Sequence, residues 1–356
     1  MPWLNVVGST RAAHVQAIFE KENVPDTDRS HVQTISQPSA LLDLRFHPSP
    51  GKQDVCAVVS STGTLAIFKL DPTNPDAPLQ HVATSRCEDL AEDVLFLQCN
   101  WHPNDSQIIG VTTSTGLSRL LRLDQAWEIA AAVDLDIENS LEAWSIAFAP
   151  EPASDAPPGS TTVYCGGDDS ILRYNSYVVT SSNHELPSAE SCFSPISIKG
   201  QHDAGVTAIL PLGLHEPSGG RLVLTGSYDD HVRLFAIHDP QESYGMRRVQ
   251  LLTDRNLDGG VWRLDLVDTT SSANSLEIRI LASCMYAGAR LIRVRMGTEE
   301  IWSCEVLARF EEHKSMNYAS AIVPRKQGDE RLECISTSFY DKLLCLWEYI
   351  SPNPIE

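Results

Sequence analysis

Apolar residues in this chain come in short alternating bursts, not in helical stripes. Leu41-Leu-Asp-Leu-Arg-Phe46, Phe96-Leu-Gln-Cys-Asn-Trp101, Ala143-Trp-Ser-Ile-Ala-Phe148, Val206-Thr-Ala-Ile209, Val261-Trp-Arg-Leu-Asp-Leu266 and Asn317-Tyr-Ala-Ser-Ala-Ile322 have the length and composition of half-buried strands. A hairpin follows each one. Three of these hairpins end alike: Cys165-Gly-Gly-Asp168-Asp-Ser-Ile-Leu-Arg-Tyr174, Gly226-Ser-Tyr-Asp229-Asp-His-Val-Arg-Leu-Phe235 and Ser338-Phe-Tyr-Asp341-Lys-Leu-Leu-Cys-Leu-Trp347. In each, an Asp bonds its own turn backbone and an aromatic residue closes the returning strand. Weaker turns stand at Ser60-Ser-Thr-Gly63, Ser114-Thr-Gly116 and Met285-Tyr-Ala-Gly288.

A fourth strand follows most hairpins, as at 80–85, 127–133 and 305–310, and the whole unit recurs with a period of about 40 to 45 residues. Four-stranded units repeated at that period predict an all-β protein, a β-propeller of radial sheets forming one domain over residues 1–356. The successive blades are expected at 41–90, 91–138, 139–201, 202–257, 258–312 and 313–350. Residues 1–40 would supply a partial first blade, the last three strands of a seventh unit without its inner strand, and the final blade would lack a closing strand. The Pro-, Ser- and Ala-rich stretches 150–161 and 268–275 read as mobile surface loops.

With 356 residues, 42% of them hydrophobic, the chain can bury a large core. It has no apolar run of about 18 residues, and Met1-Pro2-Trp3-Leu4 does not open a signal peptide, so a soluble cytoplasmic protein is expected. Nine scattered cysteines read as reduced core thiols. A net charge of −20 without any cluster of Lys and Arg excludes nucleic acid and favours a basic protein or a cationic group as partner. Neither an HExxH, a paired CxxC nor a Gly-x-Ser-x-Gly elbow is present, so no metal, cofactor or standard hydrolase triad is expected.

His202 and His313 invite reading as catalytic bases, but each stands at the same place ahead of an inner strand, and Asn139 holds that place in a third blade. A residue repeated at one blade position does structural work. The pattern resembles the WD-repeat family, in which such a His bonds the turn Asp. The resemblance implies networks of His202 with Asp229, of His313 with Asp341, Thr337 or Ser338 and Trp347, and of Asn139 with Asp168.

Alignment of the inner strands brings Trp144, Thr207, Trp262 and Tyr318 to one register. In a closed propeller these residues ring one end of the channel, joined by Tyr228 and Tyr340 from the position before the turn Asp. Aromatic faces on an acidic protein suit a quaternary ammonium. Glu142 and Asp230 would add carboxylates, and Arg263 is the only nearby cation by sequence.

Glu142-Ala-Trp144, Gly166-Gly-Asp-Asp169, Thr225-Gly-Ser-Tyr-Asp-Asp230, Gly259-Gly-Val-Trp-Arg-Leu264, Ala282-Ser-Cys-Met285 and Thr337-Ser-Phe-Tyr-Asp341 resemble the diphthine methylesterase family, in order, over about residues 40 to 350. The family's usual His is Asn139 here, which should weaken one structural network. The resemblance implies a carboxylic-ester hydrolase that removes the methyl ester from methylated diphthine, a trimethylammonium-bearing histidine derivative on elongation factor 2, during diphthamide biosynthesis. It also implies a monomer acting on that protein substrate without membrane or nucleic acid. On this reading Trp144, Tyr228, Trp262, Arg263, Tyr318 and Tyr340 bind substrate. Glu142 or Asp230 activates water, with Cys284 as the thiol alternative. A non-catalytic WD-repeat scaffold or a methyl-lysine reader are the rival expectations.

Overall fold

The computed structural model describes residues 4–9, 14–20, 29–150, 153, 156–180, 188–239, 246, 248–272, 275–297, 301–323 and 331–351, with side chains from residue 33 onward. Among these residues there is no helix, and hence none long and apolar enough to cross a membrane. The strands build seven antiparallel sheets in chain order. β1 to β3 (Leu4–Ser9, His14–Glu20, Arg29–Ser36) form a three-stranded sheet. β4 to β7 (Leu41–Phe46, Val55–Ser60, Thr64–Leu70, Leu79–Arg86) form the next. β8 to β11 (Phe96–Trp101, Ile108–Thr113, Ser118–Leu123, Ile129–Asp134) follow.

The fourth sheet holds β12 to β16 (Ala143–Phe148, Thr161–Gly167, Leu172–Thr180, Ser188–Ser191, Ile196–Ile198), with β15 and β16 both pairing β14. β17 to β20 (Val206–His215, Arg221–Ser227, His231–His238, Arg248–Asn256) and β21 to β24 (Arg263–Ser272, Ser275–Ser283, Ala289–Met296, Trp302–Phe310) are four-stranded. β25 to β27 (Ala319–Ile322, Arg331–Thr337, Leu344–Ile350) close the series with three strands.

Burial explains the hydrophobic bursts. The second strands β5, β9, β13 and β18 are buried at every residue, because each lies between two neighbouring blades. The outer strands β11 and β20 are largely solvated. Core clusters accordingly run between blades: Leu224 and Val232 of one pack with Ile278, Ile280 and Ile292 of the next, each buried aliphatic side chain contributing about 1.5 to 3 kcal/mol. Close blade contact also sets two glycines. A Cβ on Gly166 would lie 2.6 Å from Val206, and one on Gly226 would lie 2.5 Å from Val261, so a side chain at either would push the next blade away.

Three expectations are corrected. Six blades run from Leu41 to Ile350, where seven were expected, and β1 to β3 precede them in the chain as a seventh, three-stranded sheet. That sheet does not lack its inner strand: β1 contacts both β4 and β25, so the strand it lacks among the described residues is the fourth, outer one. Residues 268–272 and 275 are strand and not loop, since β21 and β22 pair as far as Ser272 opposite Ser275, and Asp268 holds Arg279 across them at 2.8 Å; residues 273 and 274 lie outside the described residues. Of the stretch 150–161, residues 151, 152, 154 and 155 lie outside the described residues.

Candidate functional site

The ladder between first and second strands skips one residue in four blades, between Leu41 and Asp43, Phe96 and Gln98, Ala143 and Ser145, and Val206 and Ala208. A bulge re-aims the extra side chain out of the ladder. The skipped residues are Leu42, Leu97, Trp144 and Thr207, the register anticipated for Trp144 and Thr207. Leu42, Leu97 and Trp144 line an open cavity together with Trp262, Tyr318 and Phe339. Thr207 does not, because its hydroxyl donates to the Val261 carbonyl at 2.5 Å and the residue is buried.

The aromatic rings meet one another. Trp262 lies 5.2 Å from Trp144, 5.7 Å from Tyr228 and 4.9 Å from Tyr318 between ring centroids. Trp144 and Tyr228 are perpendicular at 6.3 Å. Tyr318 continues to Phe339 at 5.6 Å, and Phe339 to the exposed Tyr340 at 4.7 Å. Burial, and then the Asp168 charge, push the Tyr228 phenol above its usual range, and burial does the same for Tyr318, so both rings face the site neutral.

Deeper in the same cavity lie Asp43, Arg45, Gln98 and Arg263. Arg263 donates to Asp43 at 3.1 Å and to Asp265 at 3.1 Å, and Arg45 donates to Asp43 at 3.0 Å. Arg263 is therefore not the only cation at the site. Asp43 and Arg45 sit in the Leu-Leu-Asp-Leu-Arg-Phe strand that the hydrophobic pattern had already delimited, but nothing local marks them as channel residues. Phe339 was likewise missed, although it lies inside the Ser-Phe-Tyr-Asp motif.

The three residues expected to do chemistry lie apart from this lining. Cys284 is buried in the core between blades, which pushes its thiol up to about 12. Asp230 accepts the Tyr286 hydroxyl on both oxygens at 3.0 Å. Glu142 is half-buried, its backbone carbonyl accepts the Asp168 amide at 3.0 Å, and its charge helps to raise the Asp168 carboxyl.

The structural networks differ in their partners. His202 pairs with the Thr225 hydroxyl at 2.9 Å, not with Asp229, and His313 pairs with Ser336 at 2.8 Å, not with Asp341, Thr337 or Ser338. The carboxylates are already engaged: Asp229 accepts the Asp203 amide at 2.9 Å and the Arg233 guanidinium at 2.8 Å, while Asp341 accepts the Lys314 amide at 3.0 Å and the Ser315 hydroxyl. Trp347 stacks on Phe310 at 5.4 Å, its indole N–H outside the network. Asn139 donates to Ser118 and to Cys165, both at 3.2 Å. The turn Asp of that blade is Asp169, not Asp168, since Asp169 accepts the Ser140 amide at 3.1 Å and Arg173 at 2.9 Å. Asp168 thereby takes the register of Tyr228 and Tyr340, beside the rings.

Burial, and then the Arg233 charge, push the His202 imidazole down to about 4. The unfolded chain protonates this ring near 6.5, so as pH falls from about 6.5 to 4 unfolding takes up a proton and the folded state loses stability. Above that range the contribution is whole; by pH 4 about 3 kcal/mol of it is gone. Urea unfolding of His202→Asn, the residue that Asn139 already places in a sister blade, should show a correspondingly flatter pH dependence. Parallel curves for the two proteins would refute the assignment.

The chain matches no family model. It is 26% identical over 352 residues to a Saccharomyces cerevisiae protein named diphthine methyltransferase, covering 86% of this chain and 83% of that protein. A Schizosaccharomyces pombe protein of the same name is 26% identical over 320 residues, 87% of this chain and 79% of the relative. The human protein of that name is 23% identical over 299 residues, 79% of this chain and 55% of the relative. Among solved structures, Chaetomium thermophilum Sqt1 bound to the N-terminus of the ribosomal protein L10 superposes with a TM-score of 0.59 at 13% identity, over 98% of this chain and 81% of that one, and shares the propeller fold. Over most of its length this chain is thus similar to proteins named diphthine methyltransferase, and its fold is that of a WD-repeat β-propeller.

Proposed function

We propose that this chain acts in diphthamide biosynthesis, hydrolysing the methyl ester of methylated diphthine on elongation factor 2. The observation that carries the reading is the aromatic cluster of Trp144, Tyr228, Trp262 and Tyr318, three of whose rings line one cavity together with two guanidiniums. A trimethylammonium group has no hydrogen to donate, so ring faces are its natural partners. The ester would then point toward Arg263 and Arg45, whose N–H groups suit the oxyanion formed when water attacks the carbonyl. Glu142 and Asp230 stand outside the cavity lining, so either would have to activate that water from the rim, Glu142 ahead of Asp230 because Asp230 is engaged by Tyr286. Tyr340 and Phe339 close one side of the cluster. None of the nine cysteines is in a disulfide, which fits a cytoplasmic protein.

The relatives' name speaks of methyl transfer, and one experiment separates the two reactions. Elongation factor 2 carrying the methyl ester, isolated from cells lacking this activity, is incubated with the purified chain and weighed by mass spectrometry. Hydrolysis removes one methyl replaced by hydrogen, about 14 mass units, in water alone. No loss, or a gain of the same size on unesterified substrate supplied with a methyl donor, would overturn the esterase reading.

A further inference from the structure

Asp168 has left the structural network to its neighbour Asp169, and its side chain is exposed at the aromatic cluster. Its Oδ1 accepts the Trp144 indole N–H at 2.5 Å, so the carboxylate sets the orientation of one ring. It also flanks a second ring: a Cβ built on Gly205 would lie 2.8 Å from Asp168 Oδ1 and 3.1 Å from Tyr228 Cδ2. The negative charge therefore sits beside the corner where Trp144 and Tyr228 meet at 89° and Trp262 closes the third side. We propose that Asp168 is the specificity-determining residue of this cluster, the charge that makes the site choose a quaternary ammonium over a neutral group of the same shape.

The argument rests on reading the cluster as a trimethylammonium site, and it follows from what rings alone can do. A tert-butyl group has nearly the size and surface of a trimethylammonium, and apolar contact with indole and phenol accepts either. Ring quadrupoles favour the cation modestly at a partly exposed site. A fixed carboxylate adds a Coulomb attraction that the neutral group lacks. Three charged or titratable groups face Asp168: Glu142, Asp169 and the neutral phenol of Tyr228. Burial and then the two neighbouring carboxylates raise the Asp168 carboxyl, against the lowering effect of the Trp144 hydrogen bond. A bound cation favours the ionised form, so cation affinity falls as the solution is acidified through the Asp168 titration while affinity for the neutral group stays level.

The test is a tryptophan-fluorescence titration of the full chain with choline and with its neutral counterpart 3,3-dimethylbutanol. The wild type should bind choline about tenfold more tightly. Asp168→Asn keeps an acceptor for the indole and removes the charge; its preference should fall to about twofold with dimethylbutanol binding unchanged, and Asp168→Glu should restore most of it. Trp144→Phe, which removes the donor and leaves the carboxylate, should keep most of the preference. If Asp168→Asn retains the tenfold preference, or Trp144→Phe loses it as Asp168→Asn was expected to, the role of Asp168 is overturned while the cluster remains a cation site. If the wild type shows no preference, both readings fall together.

Discussion

Trp262→Ala should lower kcat/KM for the methyl-ester substrate by about 100-fold and leave the melting temperature close to that of the wild type. Trp262 is the hub of the cluster, the one ring in contact with Trp144, Tyr228 and Tyr318 at once. Its removal forfeits its own cation–π attraction, up to about 2 kcal/mol in a desolvated site, and unties neighbours whose ring contacts contribute about 0.5 to 1.5 kcal/mol each. A loss of about 2.7 kcal/mol in transition-state binding is the factor of 100. Stability is spared because the ring is half-buried at a channel mouth, while the adjacent Val261 is the residue packed in the core. The backbone of residue 262, which donates to the Ser283 carbonyl at 2.8 Å, is unaffected by the change. Turnover followed by loss of the methyl group, together with a thermal melt, checks both halves. A collapse of the melt would make Trp262 a core residue and remove the central ring from the proposed site.

That Trp144, Trp262 and Tyr318 share a ring of positions was legible because a closed propeller repeats its geometry. Equal places in successive inner strands stand at equal radius, so a column in an alignment becomes a circle in space. The register also said which His residues were structural, for the same reason. What it could not say was which atom each side chain would meet. In Gly166-Gly-Asp-Asp169 two identical side chains follow one another, and only the fold decides that Asp169 takes the turn and Asp168 the cluster. His202 finds Thr225 because Arg233 and the Asp203 amide have already saturated Asp229, a competition among groups from three segments. Asp43 and Arg263 are 220 residues apart, and no periodicity within a blade announces a bond across the bore.

That cross-bore bond should be costly to break. Asp43→Ala is expected to destabilise the chain by about 3 to 5 kcal/mol, the usual loss when one member of a buried ion pair is removed and the other charge stays behind. Asp43 is only 7% exposed at its side chain, and its two oxygens serve Arg45, Arg263 and the Cys99 amide. Arg263 keeps Asp265 after the change, so the charge left without a direct carboxylate partner is Arg45. Replacing both, Asp43→Ala with Arg45→Met, should therefore recover roughly half of the loss, because an apolar pair of similar volume carries no stranded charge. The bond joins β4 to the start of β21, which are not neighbours in the ring, so it clasps opposite walls of the channel beneath the aromatic mouth. Urea unfolding of the single and double variants measures the coupling. A near-neutral Asp43→Ala would mean that water already solvates the Arg45 guanidinium and that Asp265 alone suffices to hold Arg263.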